Sequence, residues 1–407
     1  MQLQKVQNID TENKKVFLRC DFNVPFDKSG NIDDYTRVNA TLETIKYLLK
    51  QNCSIIIASH LSRPKWVWKE DLLRPEGFEK KFSLAPIQRV LRALLRLPII
   101  LANWVSDDET IKKAKNLKPW EILLLENLRF DIREKQNEEN FAKELASMSD
   151  IYINDAFWVC HRNHASVDKI TDFFLEWEKA AGFLLQKENS YFTDKIANPE
   201  RPFVAIAGWA KVSSKLLTIK KLLEKVDKII IGWAMAFTFL KAQWYEIWNS
   251  LVENDLLDEA RNIIKVAKVL NKELIFPIDF IISENFWEDW NIKTVDFDKI
   301  PNWFMWLDIW PKSIKLFEEK CEDAKMIFWN WPMWAYEFES FFEWSASIAQ
   351  ILATSSAITF AWWWDSISVI NKLSLSRELD FVSTWGWASL ELLEWNKLIW
   401  IEKLFQH

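Results

Sequence analysis

The chain has 407 residues, of which 49% are hydrophobic and 27% are charged, and its formal net charge at pH 7 is −6. This length exceeds what one ordinary hydrophobic core supports, so we expect about two to three domains. The acidic balance argues against a protein that binds nucleic acid by neutralising its phosphates.

The sequence carries no signal for export, membrane insertion or disulfide formation. Its polar N-terminal stretch lacks the apolar core of a signal peptide, and no apolar run approaches the roughly 20 residues that a membrane-spanning helix needs. The four cysteines form neither a CxxC pair nor a zinc-like spacing, which is typical of a reducing compartment. We therefore expect a cytoplasmic protein that binds neither nucleic acid nor membranes.

Short apolar strands alternate with amphipathic helices through the first half of the chain. The predicted strands are 16–19, 54–58, 122–125 and 151–154, and the predicted helices are 42–49 and 138–147. Strands separated by helical segments of this size are typical of βαβ units and a parallel sheet.

The same pattern restarts in the second half. The predicted strands are 203–207, 228–231, 274–277, 325–328 and 358–361, and the predicted helices are 212–226 and 367–372. A polar helical stretch, 185–196, lies between the two series. We therefore predict an α/β fold with two Rossmann-like domains, each a parallel sheet flanked by helices, joined by a hinge helix.

The predicted boundaries follow from this restart. The first domain covers residues 1–184, the connecting helix 185–198, the second domain 199–389, and a C-terminal segment 390–407.

Arginines and a histidine gather at the ends of the first-half strands. They are Arg37, His60, Arg63, Arg129 and Arg162. The loops that follow parallel strands share one edge of the sheet, where ligands bind, and guanidinium groups bind phosphate and carboxylate oxygens bidentately. Any one arginine is more often a solvated surface charge, but the set predicts a site for a small phosphorylated acid.

Asp21 and Asn23 directly follow the first predicted strand. Their side chains are placed to hold hydroxyl groups of a small ligand. The alternative interpretation is an Asx-type turn before Pro25, and the local sequence does not separate the two.

The second half has the features of a nucleotide site. Lys211 and Lys215 lie four residues apart at the start of a helix, so both can face one phosphate chain, and Ser213 and Ser214 add donors there. Asp365 follows a strand and a loop, where a carboxylate beside phosphates commonly anchors magnesium. No GxxxxGKS or GxxxxGKT sequence is present, so the chain is not a P-loop enzyme.

Tryptophan and glycine occur in unusual numbers, 26 and 6, whereas average usage predicts about 28 glycines. The tryptophans stand where chain geometry favours glycine. In FAWWWDS (360–366), three of them fill a strand–loop–helix junction, where glycine lets the backbone approach phosphate. The pattern recurs at 207–211, 231–234 and 383–388. We hypothesise that UGA codons, which some organisms read as glycine, are written here as Trp.

Read with glycine restored, ten segments resemble phosphoglycerate kinase, in the order of that family. The segments are RCDFNVP (19–25), SHLSRPK (59–65), LLENLRF (124–130), NDAFWVCHRNHAS (154–166), AIAGWAKVSSKL (205–216), IIIGWAMAFTFLKAQW (229–244), IPNWFMWLDIWPKS (300–313), MIFWNWPMWAYEFE (326–339), AWWWDS (361–366) and STWGWASLELLE (383–394).

Trp329 matches a tryptophan of that family. Other tryptophans fall where the family has glycine, and they are Trp120, Trp158, Trp209, Trp233, Trp244, Trp306, Trp310, Trp331, Trp334, Trp362, Trp363, Trp364, Trp385 and Trp387. Two milder departures are Ser62, where glycine is usual, and Phe381, where histidine is common.

The resemblance implies reversible phosphoryl transfer from 1,3-bisphosphoglycerate to ADP, giving 3-phosphoglycerate and ATP in glycolysis. It implies that the glycerate ligand binds Asp21, Asn23, Arg37, His60, Arg63, Arg129 and Arg162. It implies that the nucleotide binds Lys211, Lys215, Trp306, Asn330, Glu337, Trp362, Trp363, Trp364, Asp365 and Ser366, with Glu337 on the ribose and Asp365 near Mg²⁺.

The same resemblance implies a monomer whose C-terminal segment packs back on the first domain. We expect Arg37 and Lys211 to stabilise the transferring phosphoryl group, with hinge closure around both ligands. Two alternatives remain at this point. One is a catalytically inactive paralogue whose tryptophans are genuine and block the nucleotide. The other is a different two-domain kinase of small acids, against which the RCDFNVP and NDAFWVCHRNH segments argue.

Overall fold

Two parallel six-stranded sheets, one in each half of the chain, form the framework of this computed structural model. The described residues are 3–27, 29–64, 80–160, 162–190, 195, 198–208, 216–247, 249–284, 293–296, 298–299, 301–309, 311–330, 342–362, 364–383 and 403–404. The chain divides into a first unit, Met1–Ser190 with Lys397–His407, and a second unit, Tyr191–Asn396.

The first unit is built on a sheet in the order β3-β4-β2-β1-β5-β6. Its strands are β1 (Lys15–Cys20), β2 (Ser54–Ala58), β3 (Ile99–Leu101), β4 (Ile122–Leu124), β5 (Ile151–Asp155) and β6 (Lys179–Ala181). All neighbours pair in parallel. Parallel strands covered on both faces are near-continuous apolar runs, as in β2, where all five residues are buried.

Six helices accompany this sheet in the described part of the first unit. They are α1 (Thr36–Lys50), α2 (Ala85–Leu95), α3 (Asp108–Lys115), α4 (Ile132–Gln136), α5 (Glu139–Ala146) and α6 (Phe183–Ser190). Acidic N-caps begin three of them, including α4, where the Asp131 side chain accepts from Arg133 N. The Asp107 side chain accepts from Thr110 N at α3, and the Glu138 side chain accepts from two backbone N–H groups at α5.

The second unit contains a six-stranded sheet in the order β15-β14-β13-β7-β8-β9 and a three-stranded sheet in the order β11-β10-β12. The strands are β7 (Phe203–Gly208), β8 (Lys228–Gly232), β9 (Glu273–Ile275), β10 (Asp279–Ser283), β11 (Lys293–Asp296), β12 (Met305–Ile309), β13 (Met326–Asn330), β14 (Ile358–Trp362) and β15 (Phe381–Ser383). The larger sheet is parallel and the smaller one is antiparallel.

The helices of the second unit lie between these strands in the chain. They are α7 (Leu216–Lys225), α8 (Trp233–Ala242), α9 (Leu257–Val269), α10 (Pro311–Cys321), α11 (Glu343–Thr354) and α12 (Trp364–Lys372). Across the part of the chain that the structure describes, no helix is both long enough and apolar enough to span a bilayer.

The predicted α/β fold with two parallel sheets is confirmed, and the strand at 54–58 has the predicted bounds. The helix predicted at 42–49 begins earlier, at Thr36. The antiparallel sheet was not predicted. Residues 191–194 and 196–197, in the polar stretch predicted as a connecting helix, lie outside the described residues.

Residues near both chain ends meet in the first unit. The backbone N–H of Gln4 donates to the carbonyl of Leu404 at 2.8 Å. The ammonium of Lys403 pairs with Asp168 at 2.6 Å and with Asp172 at 2.9 Å.

Candidate active site

The strand order of the first sheet makes its carboxyl edge a candidate ligand site. The chain leaves β1 towards β2 on one side, whereas β5 lies on the other side of β1. A reversal of this kind opens a crevice at the carboxyl ends of the strands, where ligands of open α/β sheets bind. The loops that follow β1, β2, β4 and β5 carry the predicted arginine and histidine residues.

A buried ion pair stands next to the end of β1. Arg37 Nη1 donates to Asp21 Oδ2 at 2.9 Å, and the two side chains are 4% and 7% exposed. Burial lowers the pKa of Arg37, and the Asp21 charge opposes that shift. Because Arg37 is the second residue of α1, its position depends on a helix that begins earlier than predicted.

Asp21 and Asn23 also order the loop that contains them. Asp21 Oδ1 accepts from Asn23 N at 3.1 Å, so the Asx-type turn exists. Asn23 Oδ1 accepts from Ser62 N at 2.5 Å, which ties this loop to the loop after β2. Ser62 has a left-handed φ of 56°, consistent with a position where glycine is usual.

Two histidines of the site are neutral at physiological pH. Burial, followed by the charges of Arg129, Arg19 and other arginines, holds the pKa of His60 well below its usual value. The same causes lower the pKa of His164 to about 3. Neither imidazole therefore adds charge to the site, and each can donate or accept a hydrogen bond.

The cationic groups of the site repel one another. Burial and the charges of Arg162 and Arg19 lower the pKa of Arg129 to about 10. Burial and the charges of Arg129, Arg63 and Arg162 lower the pKa of Lys135. Arg129 Nη1 donates to Ser62 O at 2.6 Å, while its buried Nε has no hydrogen-bond partner in the described residues. Because a small polyanion would relieve this repulsion, this edge is a candidate anion site.

The structure adds residues that the sequence analysis missed, namely Arg19, Glu134, His164 and Ser166. Arg19 is fully buried in β1, and its Nε donates to Ser166 Oγ at 2.9 Å. One signal was available, because a charged residue inside an apolar strand requires a buried partner. The partner itself was not predictable, since it lies 147 residues away in the sequence.

The second parallel sheet has the same kind of reversal. The chain leaves β7 towards β8 on one side, and β13 pairs with the other side of β7. Asn330 ends β13 and is 1% exposed. Neither polar atom of its side-chain amide has a hydrogen-bond partner within the described residues, and the same is true of Ser366 Oγ in α12. Because unpaired buried polar groups are costly, this edge is a second candidate ligand site.

The other predicted nucleotide residues divide into three groups. Trp306 and Trp362 are 2% and 1% exposed and pack in the core of the second unit, against Phe280 and Phe328 respectively. Asp365 lies in the first turn of α12, which Trp364 begins.

The remaining predicted nucleotide residues lie outside the described residues, and they are Lys211, Lys215, Glu337 and Trp363. Among the residues that are described, no three or more metal-ligating side chains cluster.

Together, the two sheets define a two-domain α/β protein with a candidate ligand site at the carboxyl edge of each sheet. A family model described as phosphoglycerate kinase matches residues 6–396. The phosphoglycerate kinase of Nautilia profundicola is 47% identical over 399 residues, covering 98% of both chains. That of Aliarcobacter butzleri is 46% identical over 404 residues, covering 99% of this chain and 98% of its own.

Solved structures agree with these matches. The phosphoglycerate kinase from Coxiella burnetii superposes with a TM-score of 0.87 at 33% identity, covering 99% of both chains. The one from Pyrococcus horikoshii, at 24% identity and a TM-score of 0.82 over 99% of this chain and 98% of its own, shows the shared fold. The chain belongs to the phosphoglycerate kinase family.

Proposed function

We propose that this protein transfers a phosphoryl group reversibly from 1,3-bisphosphoglycerate to ADP, giving 3-phosphoglycerate and ATP. Family membership over nearly the whole chain supports the reaction. The observation that carries it in the structure is the cluster of mutually repelling cations at the carboxyl edge of the first sheet, because such a cluster favours a small polyanion.

In this proposal the first unit binds the phosphoglycerate. The residues that hold it are Asp21, Asn23, Arg37, His60, Arg63, Arg129 and Arg162. The guanidinium groups contact phosphate and carboxylate oxygens, and neutral His60 contributes a hydrogen bond without charge.

The second unit binds the nucleotide in this proposal. The residues are Lys211, Lys215, Trp306, Asn330, Glu337, Trp362, Trp363, Trp364, Asp365 and Ser366. The unpartnered amide of Asn330 and hydroxyl of Ser366 support a polar ligand at that edge. Asp365, which precedes Ser366 in α12, fits magnesium, because Mg²⁺ is commonly held by one or two carboxylates together with substrate phosphates. When bound, that ion would neutralise phosphate charge.

The chemistry requires positioning and charge stabilisation more than proton transfer. In either direction the nucleophile is already an oxygen anion, so no strong general base is needed, and the lowered pKa values of His60 and His164 suit that requirement. Arg37 and Lys211 stabilise the charge on the transferring phosphoryl group. Closure of the two domains, in a cytoplasmic monomer, excludes water from the reaction.

The test is ADP formation from Mg-ATP that depends on added 3-phosphoglycerate. We expect a kcat in the range of about 1–10³ s⁻¹ and no ADP formation when glycerol 3-phosphate replaces the acid. Small-angle scattering with both ligands bound should show compaction. A pure, folded protein that binds 3-phosphoglycerate but forms no ADP would instead support the inactive paralogue.

A further inference from the structure

Glu134 is a buried carboxylate that has no role in the reaction proposed above. It lies in α4 with its side chain fully buried. Its Oε1 accepts from Ser166 Oγ at 2.6 Å, and its Oε2 accepts from Ser166 N at 2.9 Å. Its own carbonyl accepts from Ala165 N at 2.9 Å. Glu134 therefore fixes the backbone just after Arg162.

The same contact continues towards the end of β1. The Ser166 hydroxyl, while donating to Glu134, accepts from Arg19 Nε at 2.9 Å. Arg19 Nη2 then lies 3.5 Å from His60 Nδ1. A continuous buried chain thus runs from Glu134 through Ser166 and Arg19 to His60, and each link has hydrogen-bond or near-contact geometry.

The charge of Glu134 also bears on the cation cluster. Burial raises the pKa of Glu134, while Arg19, the two Ser166 bonds and Arg129 lower it. His164 Nδ1 lies 3.7 Å from Glu134 Oε1. As a carboxylate, Glu134 offsets part of the repulsion between Arg19 and Arg129.

We propose that Glu134 is a positioning residue for the phosphoglycerate site. It acts through Ser166 on Arg19 and on the segment that carries Arg162. This role rests on the proposed function, since it concerns the same site. It predicts that loss of Glu134 weakens binding of the phosphorylated acid and leaves nucleotide binding unchanged.

The experiment compares Glu134→Gln and Ser166→Ala with a matched control, Asp279→Asn. Asp279 is a buried carboxylate of the second unit that accepts from Lys312 N at 3.0 Å and Ser313 N at 2.9 Å. Calorimetry should show that Glu134→Gln raises the Kd for 3-phosphoglycerate about tenfold or more, by analogy with residues that orient metal ligands. The KM for 3-phosphoglycerate should rise and the KM for ATP should stay constant.

The outcomes separate this role from the function itself. Asp279→Asn should leave the Kd for 3-phosphoglycerate unchanged, even though it loses a buried contact. If Glu134→Gln does not fold, Ser166→Ala tests the positioning role instead. That variant removes the hydroxyl that joins Glu134 to Arg19 and keeps the Glu134 carboxylate. A wild-type Kd in the folded variant overturns the positioning role alone. Wild-type protein that does not bind 3-phosphoglycerate overturns the proposed function.

A second, independent observation concerns three tryptophans with left-handed backbone. Trp120, Trp244 and Trp303 have φ values of 73°, 71° and 78°. In this region the Cβ atom of an L-residue crowds the backbone, whereas glycine has no such penalty. Their side chains are 54%, 83% and 77% exposed, so burial of the indole offsets little of that cost.

Trp244 closes helix α8 at the position that usually takes glycine. Its N–H donates to Lys241 O at 2.9 Å, and the N–H of Tyr245 donates to Leu240 O at 3.2 Å. This pair of bonds is the Schellman motif, whose left-handed residue is most often glycine. The Arg261 guanidinium lies 4.8 Å from the Trp244 ring centroid, a contact of small energy at an exposed site.

Trp120 and Trp303 occupy the third position of two tight turns. Glu121 N donates to Lys118 O at 3.0 Å, and Phe304 N donates to Pro301 O at 3.4 Å. With a positive φ at the third residue these are type II turns, which select glycine there. Trp303 was not among the glycine positions named from sequence, so the backbone identifies it independently.

A buried tryptophan shows the same mismatch through crowding. The ring centroids of Trp306 and Phe280 are 3.6 Å apart, closer than the roughly 4.5–7 Å typical of aromatic pairs. A glycine at 306 would remove that close contact.

We infer that positions 120, 244 and 303 are glycine in the polypeptide that the source organism makes, and that most other tryptophans of the chain are too. Reading of UGA as glycine produces this pattern. Trp329, in the middle of the second sheet, is the expected exception.

Peptide mass spectrometry of the protein purified from its source cells tests this directly. We expect glycine at 120, 244 and 303 and tryptophan at 329, and tryptophan at any of the first three overturns the inference for that position. In a recombinant chain with the literal sequence, Trp244→Gly should raise the folded-to-unfolded ratio about tenfold. Trp244→Ala, which keeps a Cβ, should raise it less, and equal effects would contradict the backbone argument.

Discussion

Replacing Arg37 with alanine should lower kcat by about 10²–10³-fold, the loss expected when one preorganised charge donor to a transferring group is removed. Arg37 is the second residue of α1, and its buried side chain pairs with Asp21. The substitution should also destabilise the first unit by about 3 kcal/mol, because Asp21 would be left as a buried carboxylate without its cation.

Two variants make this result interpretable. Arg37→Lys keeps a positive charge but loses the planar fork, so it should recover part of the stability and less of the rate. Arg89→Ala removes an exposed arginine of α2 and should change neither quantity. Steady-state kinetics and urea unfolding measure the two effects separately. An Arg37→Ala enzyme with wild-type kcat would exclude Arg37 from phosphoryl stabilisation.

The second large effect is a pH dependence of stability that comes from Asp155. Asp155 is the last residue of β5, and it is fully buried. Its Oδ1 accepts from Leu185 N at 3.2 Å at the start of α6, and its buried Oδ2 has no hydrogen-bond partner in the residues described here. Burial raises its pKa to about 7, although hydrogen bonds from Thr44, Leu185 and Leu184 oppose the shift.

The direction of this pH dependence follows from how many protons Asp155 binds in the native and unfolded states. Between about pH 4 and pH 7 the native carboxyl keeps a proton that the unfolded chain has released, so this contribution to stability falls as pH rises through that window. Three pH units correspond to roughly 4 kcal/mol. Asp155→Asn has no such proton, so the wild-type free energy of unfolding minus that of the variant should fall by this amount.

Urea unfolding at several pH values measures that difference. Taking the difference removes the opposite contributions of His60 and His164, whose lowered pKa values make stability rise with pH. Asp150→Asn, at an exposed carboxylate just before β5, is the control and should not reproduce the change seen with Asp155→Asn. Parallel curves for Asp155→Asn would mean that Asp155 is ionised throughout.

Much of the fold was predictable because parallel strands are apolar on both faces. The runs that became β2, β7 and β13 stand out for that reason. The antiparallel sheet was missed because its strands carry charged residues among the apolar ones, such as Asp279 in β10, Lys293 in β11 and Asp308 in β12. β3, β6 and β15, at three residues each, were also not predicted.

The candidate-site residues that sequence analysis named are those that follow a predicted strand in the chain. Arg37, His60 and Arg129 follow β1, β2 and β4 in the chain, and the carboxyl ends of these strands lie along one edge of the first sheet. The network beneath them was not predictable, because Glu134 and Arg19 meet through Ser166 across more than a hundred residues. Sheet topology determines which distant segments become neighbours, and local sequence patterns do not specify that topology.

The bond between Gln4 and Leu404 has a consequence for synthesis on the ribosome. The first unit takes residues from both ends of the chain, and Tyr191–Asn396 is an insertion within it. At about 5–20 residues per second, translation of that insertion lasts on the order of ten seconds or more. Most of the second unit is therefore synthesised while the first unit still lacks residues 397–407, and a nascent chain stalled before residue 397 should leave the surface around Gln4 and Asp168 exposed.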